Sequence, residues 1–140
     1  MKKLSFTVII AISSMALSQA QEKKVPDAVI KAFKKEHPNV KASWDIEKKG
    51  FEAEFKMNGK DASENYSSNG KKMATEIEIE EKELPKKALE YVLKNYPNKK
   101  IKETAKITDA NGTITYEIEL KIDTKNTDLL FDSNGEFIKK

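Results

Sequence analysis

A pattern that occurs twice constrains this chain more than any other feature. Leu84-Pro85 opens a stretch of helical periodicity that ends at Tyr96-Pro97-Asn98; Thr115 to Leu120 then alternates like a strand, and Asp132-Ser133-Asn134-Gly135 makes a turn. The first half carries the same signs: Val25-Pro26, a helical stretch ending at His37-Pro38-Asn39, the alternating Phe51 to Phe55, and Ser67-Ser68-Asn69-Gly70. Val25/Leu84, Pro26/Pro85, Pro38/Pro97 and Asn39/Asn98 are each offset by 59 residues, whereas Phe51/Tyr116, Phe55/Leu120, Asn69/Asn134 and Gly70/Gly135 are offset by 65. The six extra residues fall between Asn98 and Tyr116, where Thr108 to Thr113 is expected to form a longer hairpin. This is the signature of a duplicated helix-plus-strands unit.

Ahead of the repeats, Met1-Lys2-Lys3, the apolar Leu4 to Leu17 and the small residues of Ser18-Gln19-Ala20 have the form of a secretory signal peptide, residues 1–20, with cleavage expected after Ala20. The apolar stretch is short for a membrane span of about 20 residues, and the chain has no cysteine to carry a lipid anchor. The expected product is a periplasmic or secreted chain, not stably inserted in the membrane. Residues 21–140 are enough for one domain with an adequate core, expected to contain repeats at about 25–80 and 84–140. With no cysteine, that core has to hold without disulfides.

Within each repeat the period switches from helix to strand. Val25, Val29, Phe33 and His37 step by four with Ile30 beside them, and Lys31, Lys34, Lys35 and Glu36 fill most of the other face. Pro26 and Pro85 suit a first helical turn, which needs no N–H. Leu84, Ala88, Val92 and Tyr96 make the second stripe, widened by Leu89 and Leu93. Strand alternation is expected over residues 40–47, 51–57, a more polar segment through Tyr66, and 73–79, then around 101–107, 113–122, 127–132 and 136–139. Asn58-Gly59, Asn69-Gly70, Asn111-Gly112 and Asn134-Gly135 punctuate the strands, since both residues tolerate the positive φ of tight hairpin turns. Glu80 to Glu83 reads as a continuous strand-to-helix step. A lone helix on four strands has little core, so the expected fold class is α+β: one eight-stranded antiparallel sheet with two helices on one face.

This pattern resembles the PepSY-like family of β-lactamase-inhibitor-like proteins, common among exported proteins of Bacteroidetes-type bacteria. The resemblance rests on the helices closed by Pro38-Asn39 and Pro97-Asn98, the FEAEF and YEIEL strands, and the turns at Asn69 and Asn134. It implies a sheet whose helix-free face would receive a partner, as in the secreted β-lactamase inhibitor of the family name. This chain lacks that inhibitor's cysteines and matches none of its contact loops, so inhibition of a β-lactamase is not carried over.

Charge and chemistry exclude several classes. The formal charge of +3 falls to +1 once Lys2 and Lys3 leave with the signal. Every basic residue other than the one histidine is lysine. Arginine is the side chain suited to bidentate phosphate recognition, so its absence weighs against nucleic acid. With no cysteine, one histidine and no base near Ser63, Ser67, Ser68 or Ser133, no nucleophilic constellation forms, and the chain is read as no enzyme and as needing no cofactor or resident metal. His37 is read as a half-buried helix end in preference to a pH sensor, and Trp44 as a core residue under the first helix in preference to an exposed anchor. The Asp109 and Asp132 loops place glycine fourth, where a calcium-binding EF-hand loop has it sixth, and are read as hairpin turns.

Glu52 and Glu54, with their counterparts Glu117 and Glu119, are placed on the sheet face away from the helices, and Glu76 and Glu78 extend the row. The plain reading is a solvated face balanced by lysines; the sharper one is an acidic surface for a basic partner or a hard cation such as calcium. The leading expectation is a monomeric, non-catalytic binding or inhibitor-like module that meets an envelope or extracellular protein through these four glutamates and the hairpin loops. The alternative is a periplasmic small-ligand or divalent-cation binding protein. A third reading is an oligomer built by pairing of exposed strand edges.

Overall fold

The computed structural model describes residues 24–139, so the expected leader lies outside the described residues. Helix α1 (Asp27–Glu36) is followed by β1 (Ser43–Glu47), β2 (Gly50–Met57), β3 (Lys60–Tyr66) and β4 (Lys72–Glu78); α2 (Lys86–Asn95) is followed by β5 (Lys100–Asp109), β6 (Ile114–Ile122), β7 (Lys125–Asp132) and β8 (Phe137–Lys139). All eight strands form one antiparallel sheet in chain order, and both helices lie on one face of it. This is the expected α+β architecture.

Each repeat packs its own core under its own helix. Val29 and Phe33 of α1 meet Ala53, Phe55, Ala62 and Tyr66, whereas Leu84, Ala88 and Val92 meet Ile118, Leu120, Leu129 and Phe131. Both helices are capped by the residue before a proline, His37 or Tyr96, where an αR conformation is disfavoured. The backbone N–H of His37 donates to Phe33 O at 2.9 Å, and that of Tyr96 to Val92 O at 2.8 Å.

The glycine turns have different jobs. Gly70 and Gly135 have φ near +83° and +82° and lie against the helices: a Cβ there would sit 2.6 Å from Ala28 O or 2.8 Å from Pro85 Cβ. Gly59 and Gly112 share the positive φ, but their tips face open space. The turn after the third strand of each repeat is therefore where the sheet presses against its helix.

Two local expectations are corrected. Val40 and Ala42 pack on the first core, but β1 begins only at Ser43; the Val40 N–H is held by His37 O in the turn closing α1. Glu80 to Glu83 is not a continuous step but a 3-10 turn over Glu81–Glu83, closed by the Glu83 carboxylate accepting from the Glu80 N–H at 2.8 Å. The six extra residues give the longer hairpin expected. They lengthen the hairpin ladder, so that β5 has 10 residues where β1 has 5. That length is used at the seam between the repeats, where Ala74, Thr75, Glu76, Ile77 and Glu78 pair with Asp109 to Ala105.

Candidate functional site

No described helix packs on the opposite face of the sheet, and cross-strand register shows which side chains share it. Asp45 pairs with Glu52, Ser43 with Glu54, Glu54 with Ser63, Ser63 with Glu76 and Glu76 with Ile107. In the second repeat Ala105 pairs with Glu117, Glu103 with Glu119 and Glu119 with Asp128. All four predicted glutamates thus share the helix-free face. They do not converge: β2 and β6 are four strand spacings apart, about 19 Å along the sheet.

Glu76 bridges the two pairs, and it is buried. Only 4% of Glu76 and 3% of Glu52 is exposed; Glu54, Glu117 and Glu119 are partly buried. Neighbouring side chains on adjacent strands of this face crowd one another. Glu52 and Glu76 are thus withdrawn from solvent, whereas Glu54, Glu117 and Glu119 keep part of their surface in it.

Crowded carboxylates resist ionisation. Burial first, then the charges of Glu52, Asp128 and Glu103, push Glu76 up to about 7. Burial, then Glu76, Asp128, Glu119 and Glu103, push Glu117 up to about 8. Glu119 is raised by burial, Glu103 and Asp128, and Asp128 by burial. Glu52 is raised by burial and by Glu47, Glu54 and Asp45, while the neighbouring Ser63 hydroxyl opposes the rise. That hydroxyl nevertheless makes no hydrogen bond of normal geometry. The face is a continuous acidic tract, and reading Glu52, Glu54, Glu117 and Glu119 alone missed Asp45, Glu103 and Asp128. Their strand alternation was visible; the register joining them was not.

The helix face holds a different carboxylate. Glu64, 1% exposed, lies in phase with Ala62 and Tyr66 and is fully partnered. Tyr66 Oη donates to its Oε2 at 2.5 Å, Lys72 Nζ to its Oε1 at 3.0 Å, and His37 Nε2 lies 3.2 Å from both oxygens. Burial pushes the Glu64 pKa up, but the bonds from Tyr66, Lys72 and His37 outweigh it and leave it below the ordinary value. Lys72 Nζ also donates to Glu36, so the network ties the last turn of α1 to the sheet. His37 is the half-buried helix end expected, tilted against Phe33 and Phe55. Trp44 is half-buried on edge strand β1, edge-on to Phe33 at 5.6 Å, and so flanks the core without being enclosed by it.

A duplicated helix-and-four-strand unit, joined through one sheet with a bare acidic face, defines a class of helix-on-sheet modules. A family model described as putative beta-lactamase-inhibitor-like, PepSY-like, matches residues 15–72 and again 51–139, so the chain belongs to the PepSY-like family. Its fold is that of a BLIP-like protein from Bacteroides fragilis (TM-score 0.66, 21% identity, 85% of this chain and 88% of that one). A DUF2874 family protein from Bacteroides uniformis superposes with a TM-score of 0.71 at 18% identity, over 81% of this chain and 86% of that one. A protein from Bacteroides eggerthii described as putative periplasmic does so at 0.73 and 18%, over 84% and 88%. Among curated proteins none matches. Among the described residues no helix is long and apolar enough to cross a membrane.

Proposed function

We propose that this chain is an exported, non-catalytic binding module that contacts a basic surface of an envelope or extracellular protein through its helix-free sheet face. One observation carries the reading: register places a row of acidic side chains from Asp45 through Glu76 to Asp128 on one face, where burial and then mutual repulsion push Glu76 up to about 7 and Glu117 up to about 8. A partner that brings lysine or arginine side chains to this face supplies positive charge, lowers the carboxylate pKa values and gains binding energy. The periplasmic description of the Bacteroides eggerthii neighbour supports export, and the inhibitor-like description of the family supports recognition by contact.

The test is co-purification from envelope and culture-fluid proteins, with the parent and a Glu54→Lys/Glu119→Lys variant as parallel baits. Glu52 is left alone because a lysine at so buried a position would disturb the sheet. A partner held by the parent, released by moderate salt and lost from the folded variant is the expected result. A partner retained by the variant, or mapping to the helix side, would overturn the reading.

A further inference from the structure

We propose that Asp45, Glu52, Glu54 and the Ser63 hydroxyl form a calcium-binding site on the helix-free face of the first repeat, at one end of the acidic tract. One carboxylate oxygen each from Asp45, Glu52 and Glu54 lies within 4.8 Å of the other two. Oxygens on opposite sides of a calcium ion, at about 2.4 Å each, stand that far apart. The register explains the grouping. Asp45 and Glu52 are direct cross-strand partners, as are Glu54 and Ser63, so the four side chains come from three adjacent strands on one face.

The second observation is the serine. Ser63 is 99% buried and its Oγ has no hydrogen-bond partner. A buried hydroxyl without a partner is costly. This one lies beside the Glu52 carboxylate, where its lone pairs are free for a cation.

A second triad on the opposite face shows what a satisfied set looks like. Glu36, His37 and Glu64 are equally close together, but the Lys72 ammonium already bridges Glu36 and Glu64. No described lysine forms an ion pair with Asp45, Glu52 or Glu54; Glu54 accepts only a 3.3 Å bond from Ser43 Oγ. The second repeat lacks the same arrangement, because Ala105 stands opposite Glu117 where Asp45 stands opposite Glu52. Three carboxylates and a hydroxyl are hard oxygen donors, and their irregular placement suits calcium better than magnesium, which demands near-octahedral geometry.

Calorimetric titration of CaCl2 and MgCl2 into the chelator-treated protein tests this without any partner, so its outcome is independent of the protein-binding reading. We expect one calcium per chain, in the range of about 10⁻⁴–10⁻³ M typical of extracellular sites, with weaker magnesium binding. Asp45→Asn, at an exposed edge position where folding is not at risk, should weaken calcium at least about tenfold, the loss of one charged ligand. Glu52→Gln should do the same, and Glu119→Gln in the second repeat should change nothing. No heat at about 10 mM CaCl2, well above the weak end of that range, would overturn the proposal, as would calcium binding indifferent to Asp45→Asn and Glu52→Gln.

Discussion

Glu64 and Glu76 lie on neighbouring strands and opposite faces of the sheet, and both are buried; their partners decide which way each one titrates. Glu64 is surrounded by Tyr66, Lys72, His37 and Thr75 and is held below the ordinary value, so its contribution is present above the unfolded pKa and is lost as pH falls through the folded one. Glu76 and Glu117 face other carboxylates, and their folded values of about 7 and about 8 exceed the unfolded 4.5. Their contribution is complete below the unfolded value and is lost as pH rises through 7 and 8. Stability should therefore peak in mildly acidic solution and decline toward pH 9. Glu76→Gln/Glu117→Gln should flatten that decline in melting temperature; a variant that loses stability as steeply as the parent would refute this account. On the other face, Tyr66→Phe removes a donor from a buried charge and should cost about 2 kcal/mol in urea unfolding.

The hairpin turns are alike in sequence and unlike in consequence. Asn58-Gly59 and Asn69-Gly70 both need a positive φ at glycine, so alanine at either strains the backbone by about 1–2 kcal/mol. At Gly70 the new Cβ also meets the Ala28 carbonyl of α1, and at Gly135 it meets Pro85 and the Ala88 N–H of α2. Gly70→Ala and Gly135→Ala should thus lose about 3 kcal/mol or more, by helix displacement as well as strain. Gly59→Ala, with nothing near its tip, should lose only the backbone strain. Thermal melts of the three variants check the ranking, and equal losses would show that the helix contacts are yielding.

Two cores that share no buried residue are joined along β4 and β5. The molecule behaves as one unit only so far as that seam holds. Ile107 sits in its middle, between Glu76 and Thr115, and Ile107→Pro would remove a ladder N–H from a central strand at a cost of about 3 kcal/mol or more. Trp44, the only tryptophan, reports the first repeat alone. In the parent its fluorescence and far-ultraviolet circular dichroism should melt together; in Ile107→Pro they should separate. Coincident transitions in the variant would mean that the repeats are coupled by more than the seam.

Much of this architecture was legible along the chain because its causes are local. Proline before each helix, Pro38 and Pro97 after it, the asparagine-glycine turns and period-two alternation act within a few residues, and the duplication set the order in which they recur. Alternation also placed Glu52, Glu54, Glu117 and Glu119 on one face, since side-chain parity along a strand is fixed by the pleat. Distances across the face depend instead on register and strand order, which no single segment contains. Only the folded sheet set Asp45 against Glu52, put Glu76 between the two repeats, and turned the hairpin extension into the seam between them. Only there did Glu64, read as part of a polar strand, find His37 from 27 residues away in the chain. Local chemistry named the elements; burial and neighbouring charge, which are properties of the assembled sheet, decided which carboxylates are anchors and which are left needing a cation.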